Sequence, residues 1–170
     1  MSKIWLVSDT HFGHRNICKY RDMFSNLTEH DDTILNNILT TVGKRDTLYM
    51  LGDTCFDKES IWRLQEIANV VERLHLIFGN HCYSKPEVYI GIASTIGGIV
   101  SKKNFWLSHA PIHESEMRRR EGNIHGHTHA TSVDDPRYRC VSLEQTDFRP
   151  IEFQRVIAEV RDAIQSSTAN

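Results

Sequence analysis

Short apolar runs, each cut off by a polar residue, recur along the chain and alternate with stretches of helical periodicity. "KIWLV" (3–7) is β-branched and aromatic, and predicts a buried strand ending at Ser8-Asp9. Thr28 then offers a helix cap; Ile34, Leu35, Ile38 and Leu39 share one helical face, and Gly43 is placed to end the helix. "DTLYML" (46–51) predicts the next strand, closed by Gly52-Asp53. A second helix is expected from Glu59 to Val71, on the spacing of Ile61, Leu64, Ile67, Ala68 and Val71. "LHLIF" (74–78) follows as a strand closed by Gly79-Asn80-His81. Residues 82–98 contain Pro86, Gly91, Gly97 and Gly98, and predict loops with a short element.

Further on, "NFWL" (104–107) runs into Ser108-His109, and "NI" (123–124) leads through His125 into Gly126-His127-Thr128-His129. "YRCVSL" (138–143) predicts a late strand, and a C-terminal helix is expected after Pro150, with 165–170 a frayed tail. No internal repeat or linker divides the chain, so residues 1–170 are expected to form a single domain.

Strands alternating with helices point to an α/β sheet, in which ligands collect beyond the carboxyl ends of the strands. Five apolar runs end in a group able to bind a metal: Asp9/His11, Asp53, Asn80/His81, His109 and His127/His129. Each block alone is an ordinary turn; five together are not. Asp9 and His11, two residues apart, would project the same way from an extended strand end, and His127 and His129 repeat that spacing. The set offers carboxylate oxygen, amide oxygen and imidazole nitrogen, with no thiolate spacing. That mixture suits Mn²⁺, Fe²⁺, Zn²⁺ or Ni²⁺ rather than a sulfur-rich structural zinc site. The ligands are too many for one openly coordinated ion, and two ions sharing a carboxylate fit the count.

Composition narrows the partners. Hydrophobic residues at 39% and charged residues at 25% are ordinary for a globular chain, and the net charge of −2 provides no global basic field. A protein whose main task is nucleic-acid recognition would show a basic groove with interleaved aromatics; only the short run Arg118–Arg120 leans that way. No apolar stretch approaches signal-peptide or membrane-helix length, so no membrane partner is expected. Cys18, Cys55, Cys82 and Cys140 are widely spaced, which reads as reduced thiols in a cytoplasmic protein.

The ordered series Asp9-x-His11, Gly52-Asp53, Gly79-Asn80-His81, His109 and Gly126-His127-Thr128-His129 resembles the calcineurin-like metallophosphoesterase superfamily over residues 4–150. The form "DTHFGHRNI" and the short length are similar to its small bacterial and phage phosphoesterases. The resemblance implies two packed β-sheets flanked by helices. It also implies two divalent metal ions, with Mn²⁺ the first choice. Asp9, His11, Asp53 and His129 would hold one ion, and Asp53, Asn80, His109 and His127 the other, with Asp53 as the bridge.

By the same resemblance His81 lies outside the ligand set, as the group that steadies the phosphate or protonates the leaving oxygen. His14 and Arg15 are substrate-contact candidates, with Asn16 beside them; His113 and His125 read as supporting groups. One position departs from the family: Cys82 stands where an acidic residue usually supports the histidine, and a thiol is a weak acceptor.

The expected activity is hydrolysis of phosphate esters at a two-metal centre. The longest spans without a ligand, 12–52 and 82–108, are already committed to helices and strands, which leaves little chain for a capping domain. An open cleft of that kind favours phosphodiesters, including a nucleotide or nucleic-acid end. The alternatives are a phosphomonoesterase or nucleotide phosphatase with the same site, and a non-enzymatic metal-binding scaffold, which would be expected to lack ligands that this chain retains.

Overall fold

The computed structural model describes residues 1–82 and 86–168. Among the described residues, nine strands form two mixed sheets flanked by three helices. The first sheet contains β1 (Ile4–Val7), β2 (Thr47–Leu51), β3 (Arg73–Ile77), β4 (Thr95–Gly97) and β9 (Ile151–Glu152). Its order is β4-β3-β2-β1-β9, parallel except for β9. The second sheet, in the order β5-β6-β7-β8, contains β5 (Ile99–Lys102), β6 (Phe105–Ser108), β7 (Gly122–His125) and β8 (Tyr138–Cys140). Only β5 runs antiparallel to its neighbour.

Strand alternation explains why the first sheet reads as unbroken apolar runs. Val7, Leu48, Met50, Leu74 and Leu76 point to one face and pack against Ile34 and Ile38 of α1 (Leu27–Thr41) and Leu64 and Ile67 of α2 (Trp62–Val70). Leu6, Tyr49, Leu51 and Ile77 point to the other face, against Phe105, Leu107 and Ile124 of the second sheet and Val156, Ile157 and Val160 of α3 (Phe153–Thr168). A sheet covered on both sides needs apolar residues at every position. Each fully buried Leu or Ile here contributes about 1.5–3 kcal/mol relative to exposure.

The two-sheet α/β architecture is the one expected; several boundaries differ. Asn26, not Thr28, caps α1: its side chain accepts from Glu29 N (2.9 Å), while the Glu29 carboxylate accepts from Ser25 N (2.8 Å). That reciprocal pair is the capping-box pattern shifted by one residue. The second helix begins at Trp62 rather than near Glu59, because Ser60 N donates to the Asp57 carboxylate (2.9 Å) and the chain turns there.

Within 82–98, a 3-10 turn (Pro86–Tyr89) and β4 are formed; residues 83–85 of that stretch lie outside the described residues. After Pro150 the chain does not enter a helix at once. Ile151 and Glu152 first pair with Leu6 and Trp5 on the open edge of β1, and α3 starts at Phe153. The helix then continues through 165–168, where fraying was expected, with the Ser166 hydroxyl donating to Asp162 O (2.9 Å). Among the described residues no helix is long and apolar enough to cross a membrane.

Candidate metal centre

The loops that follow β1, β2, β3, β6 and β7 converge at one end of the two sheets. Backbone bonds zip the first two together: Asp9 N to Gly52 O (3.1 Å), His11 N to Asp53 O (2.9 Å) and Phe12 N to Thr54 O (2.9 Å). Gly126 N donates to His109 O (2.8 Å), which joins the loops of the second sheet. Asp9 and His11 do not project together from an extended strand, as their spacing suggested. Both have left-handed backbones (φ 59° and 51°), as do Asp53 (48°), His127 (68°) and His129 (50°). These are five of the ten non-glycine residues with positive φ among the described residues. Such conformations cost about 1–3 kcal/mol each and collect at functional sites.

Two glycines make this convergence possible. A Cβ on Gly126 would overlap the Ser8 hydroxyl and the Asp9 carboxylate. One on Gly52, itself at φ +93°, would overlap the His109 ring.

The carboxylates are held on one side and open on the other. Asp9, fully buried, accepts at Oδ2 from Ser142 Oγ (2.7 Å) and His127 N (3.0 Å). Its Oδ1 has no hydrogen-bond partner among the described residues; His11 Nε2 stands 3.7 Å away and His129 Nε2 3.8 Å. Burial works to raise the Asp9 pKa, but His11, Ser142, His109 and His129 around it hold the carboxyl below the usual range. Asp53 Oδ1 accepts from His81 N (2.8 Å), and its Oδ2 lies 3.3 Å from His109 Nε2 and 4.0 Å from His11 Nε2. Burial works to raise its pKa as well, but His109, the His81 N–H and His11 together hold it below the usual carboxylate range.

The imidazoles complete a cation-shaped gap. His109 Nδ1 faces Leu51 O (2.8 Å), so in the neutral ring Nδ1 carries the proton and Nε2 the lone pair. That Nε2 confronts Asn80 Oδ1 (2.9 Å) as well as Asp53. His129 Nδ1 faces Glu144 Oε1 (2.9 Å), which turns its Nε2 toward Asp9. His11 is 4% exposed, and neither of its ring nitrogens has a partner among the described residues. Burial pushes the His11 pKa down, favouring the neutral, metal-binding ring. Lone-pair nitrogens facing buried, unpartnered carboxylate oxygen are the fit that a divalent cation requires.

Two ligand-atom groupings fall within 4.8 Å: Asp9, His11 and His129, and Asp9, Asp53 and His109. The His127 ring lies 5.0 Å from that of His109, centroid to centroid, at the exposed rim. All seven proposed ligands therefore border one region.

The other sequence candidates are placed unevenly. His14 and His81 line the cleft over the cluster; Arg15 is exposed and does not line it, and Asn16 is exposed beside it. Cys82 Sγ accepts from Gly79 N (3.2 Å), bracing the turn rather than the His81 ring. His113 caps a 3-10 turn by accepting from Ser115 N, and His125 is buried with Nδ1 at Gly126 O. Arg120 covers the Trp106 ring (4.9 Å) and Arg118 pairs with Glu116 (3.5 Å), outside the cleft.

Sequence reasoning missed Glu144, Arg21 and Ser142. Arg21, 3% exposed, donates to Glu144 (2.8 Å) and to Asp9 O (2.8 Å), and its Nη1 lies 2.9 Å from His30 Nε2. A carboxylate behind a metal-facing histidine sets its tautomer and basicity. The one available signal was Ser142-Leu143-Glu144, a further apolar run ending in an acid just beyond β8.

Comparison with known proteins agrees with this geometry. The profile of the calcineurin-like phosphoesterase superfamily domain matches residues 2–142. An uncharacterized protein of Methanocaldococcus jannaschii is 30% identical over 166 residues, covering 92% of this chain and 90% of that protein. The Gene 66 protein of Mycobacterium phage L5 is 31% identical over 166 residues, covering 78% and 80% respectively. Among solved structures, a protein of unknown function from Aquifex aeolicus superposes with a TM-score of 0.72 at 26% identity, over 93% of this chain and 99% of that one. Matched over most of its length and carrying clustered aspartates and histidines at its strand ends, this chain belongs to the calcineurin-like phosphoesterase superfamily, a family of metal-dependent phosphoester hydrolases.

Proposed function

We propose that this chain hydrolyses phosphate esters at a two-metal centre and prefers phosphodiesters. The observation that carries the reading is the position of the Asp–His cluster between two open clefts. One, of about 630 Å³, is bordered by Asp53, His14, Phe56, His81 and His129. The other, of about 600 Å³, is bordered by Asn80, His109, Phe78, Pro111 and Ile112, and His127 borders both. A phosphoryl group seated at the cluster has an exit on each side, one for each ester arm. A monoester has only one arm to place.

Asp9, His11, Asp53 and His129 would hold one ion and Asp53, Asn80, His109 and His127 the second, with Mn²⁺ the first choice for this oxygen and nitrogen set. Bound divalent ions would supply Lewis-acid stabilisation of the phosphoryl charge and an activated water. The chain's own groups do the rest. Glu144 and the Leu51 carbonyl fix the tautomers of His129 and His109. His81, its backbone tied to Asp53 and its ring stacked on Phe56 (5.3 Å, 22°), would protonate the leaving oxygen.

The four cysteines are free thiols, in keeping with a reducing, cytoplasmic setting. The test is turnover of an aryl phosphodiester by the Mn²⁺-loaded protein, abolished by chelation. Robust monoester turnover without diester hydrolysis, across several metals, would overturn the diester preference.

A further inference from the structure

Beyond the metal-facing groups, the first cleft is walled by flat side chains. Phe56 lies face to face with His14 (4.1 Å, 10°) and stacks on His11 (5.0 Å, 30°). Outward from His14 comes Tyr20, its ring centroid 6.4 Å away and 24° from parallel. The series His11, Phe56, His14 and Tyr20 thus leads from a proposed metal ligand to the protein surface in similar orientations.

Tyr20 is 78% exposed, so its ring stabilises little of the core. Its backbone is nevertheless fixed. Tyr20 N donates to Ile17 O (2.9 Å), and the next residue, buried Arg21, is bonded to Asp9 O (2.8 Å) and Glu144 (2.8 Å). An exposed ring is therefore mounted one residue from a side chain that grips a metal-ligand backbone. Among the described residues no lysine or arginine lines this cleft, so it offers no permanently charged side chain to additional phosphates. What it offers an ester arm is ring surface.

We infer that Tyr20, backed by His14 and Phe56, is a stacking platform for a planar ring on one ester arm, so that esters of nucleosides or aryl alcohols are favoured over those of sugars or alkyl alcohols. This rests on the phosphoesterase reading, because the ring is placed relative to a phosphoryl group at the cluster. Stacking of a base on an aromatic side chain needs no charge and accepts any planar ring.

The test compares matched pairs in wild type, Tyr20→Ala and Tyr20→Phe. One pair is a dinucleoside phosphate and its base-free sugar-phosphate counterpart; the other is a phenyl and an alkyl diester. With Mn²⁺, the ratio of kcat/KM for the ring-bearing over the ring-free ester should fall about 5- to 150-fold in Tyr20→Ala and persist in Tyr20→Phe. Binding is read separately from the ring-proton NMR shifts of thymidine 5′-monophosphate added to Zn²⁺-loaded protein. These should move upfield with wild type and Tyr20→Phe but not with Tyr20→Ala.

A larger effect in the nucleoside pair assigns the ring to a nucleobase, and equal effects assign it to any aryl group. Hydrolysis with a ratio that Tyr20→Ala does not change overturns the platform and leaves the phosphoesterase reading standing. No hydrolysis of any ester, with Tyr20-dependent ring shifts, overturns the phosphoesterase reading and supports the platform. Absence of both hydrolysis and ring shifts overturns the platform.

Discussion

Glu144→Gln removes one charge from a buried chain of contacts while nearly keeping its shape. Glu144 Oε1 accepts from Arg21 Nε (2.8 Å) and His129 Nδ1 (2.9 Å), and the Arg21 side chain is 1% exposed. Burial opposes ionisation of Glu144, but His129 and Arg21 outweigh it and pull the carboxyl from 4.5 down to about 2. That difference corresponds to about 3 kcal/mol favouring the folded state when Glu144 is ionised. Allowing for solvent screening at a side chain 20% exposed brings this to about 2 kcal/mol.

The folded pKa is depressed, so the stabilisation is complete above the ordinary value of 4.5 and is lost as pH falls toward 2. Urea unfolding of the metal-free protein should show wild type ahead of Glu144→Gln by about 2 kcal/mol at pH 7, and by only about 1 kcal/mol at pH 3.5. The variant should also bind metal about 10- to 100-fold more weakly, because His129 loses its anionic partner. A stability gap that stays constant with pH, together with unchanged metal affinity, would refute this account of Glu144.

Three further substitutions separate the roles of the cluster. Asp53→Asn should lower the metal content of Mn²⁺-loaded protein at both sites, read by elemental analysis; full occupancy with full activity would contradict the shared carboxylate. His81→Ala should keep its metal but lose turnover by about 10²- to 10⁴-fold if His81 is the general acid. His127→Ala should instead lose metal affinity and be partly rescued by excess metal, and equal metal loss in the two variants would move His81 into the ligand set.

The sheet-forming runs and the five ligand blocks were legible because both are local signals. An apolar strand that stops at Asp9, Asp53 or His109 shows its break in polarity within a few residues. Periodicity likewise located α1 and α2, since a helical face repeats within two turns, and Pro150 marked the approach to α3. Boundaries were less legible. Asn26 outcompetes Thr28 as a cap because Glu29 lies three residues beyond it. β9 exists only because the open edge of β1 lies beside Ile151 and Glu152.

Which side chains meet across the chain is settled by tertiary folding alone. Ser142 reaches Asp9 over 133 positions and Arg21 reaches Glu144 over 123, and no window of sequence contains either pair. The left-handed backbones of Asp9, His11, Asp53, His127 and His129 are similarly imposed by the convergence of several loops on one place. None of these residues is a glycine, so their own chemistry favours another conformation. Residue order therefore sets which groups stand at the strand ends and what they can ligate. Packing determined their orientation, their protonation and the ring-lined cleft beside them, because each depends on contacts that exist only when both sheets are assembled.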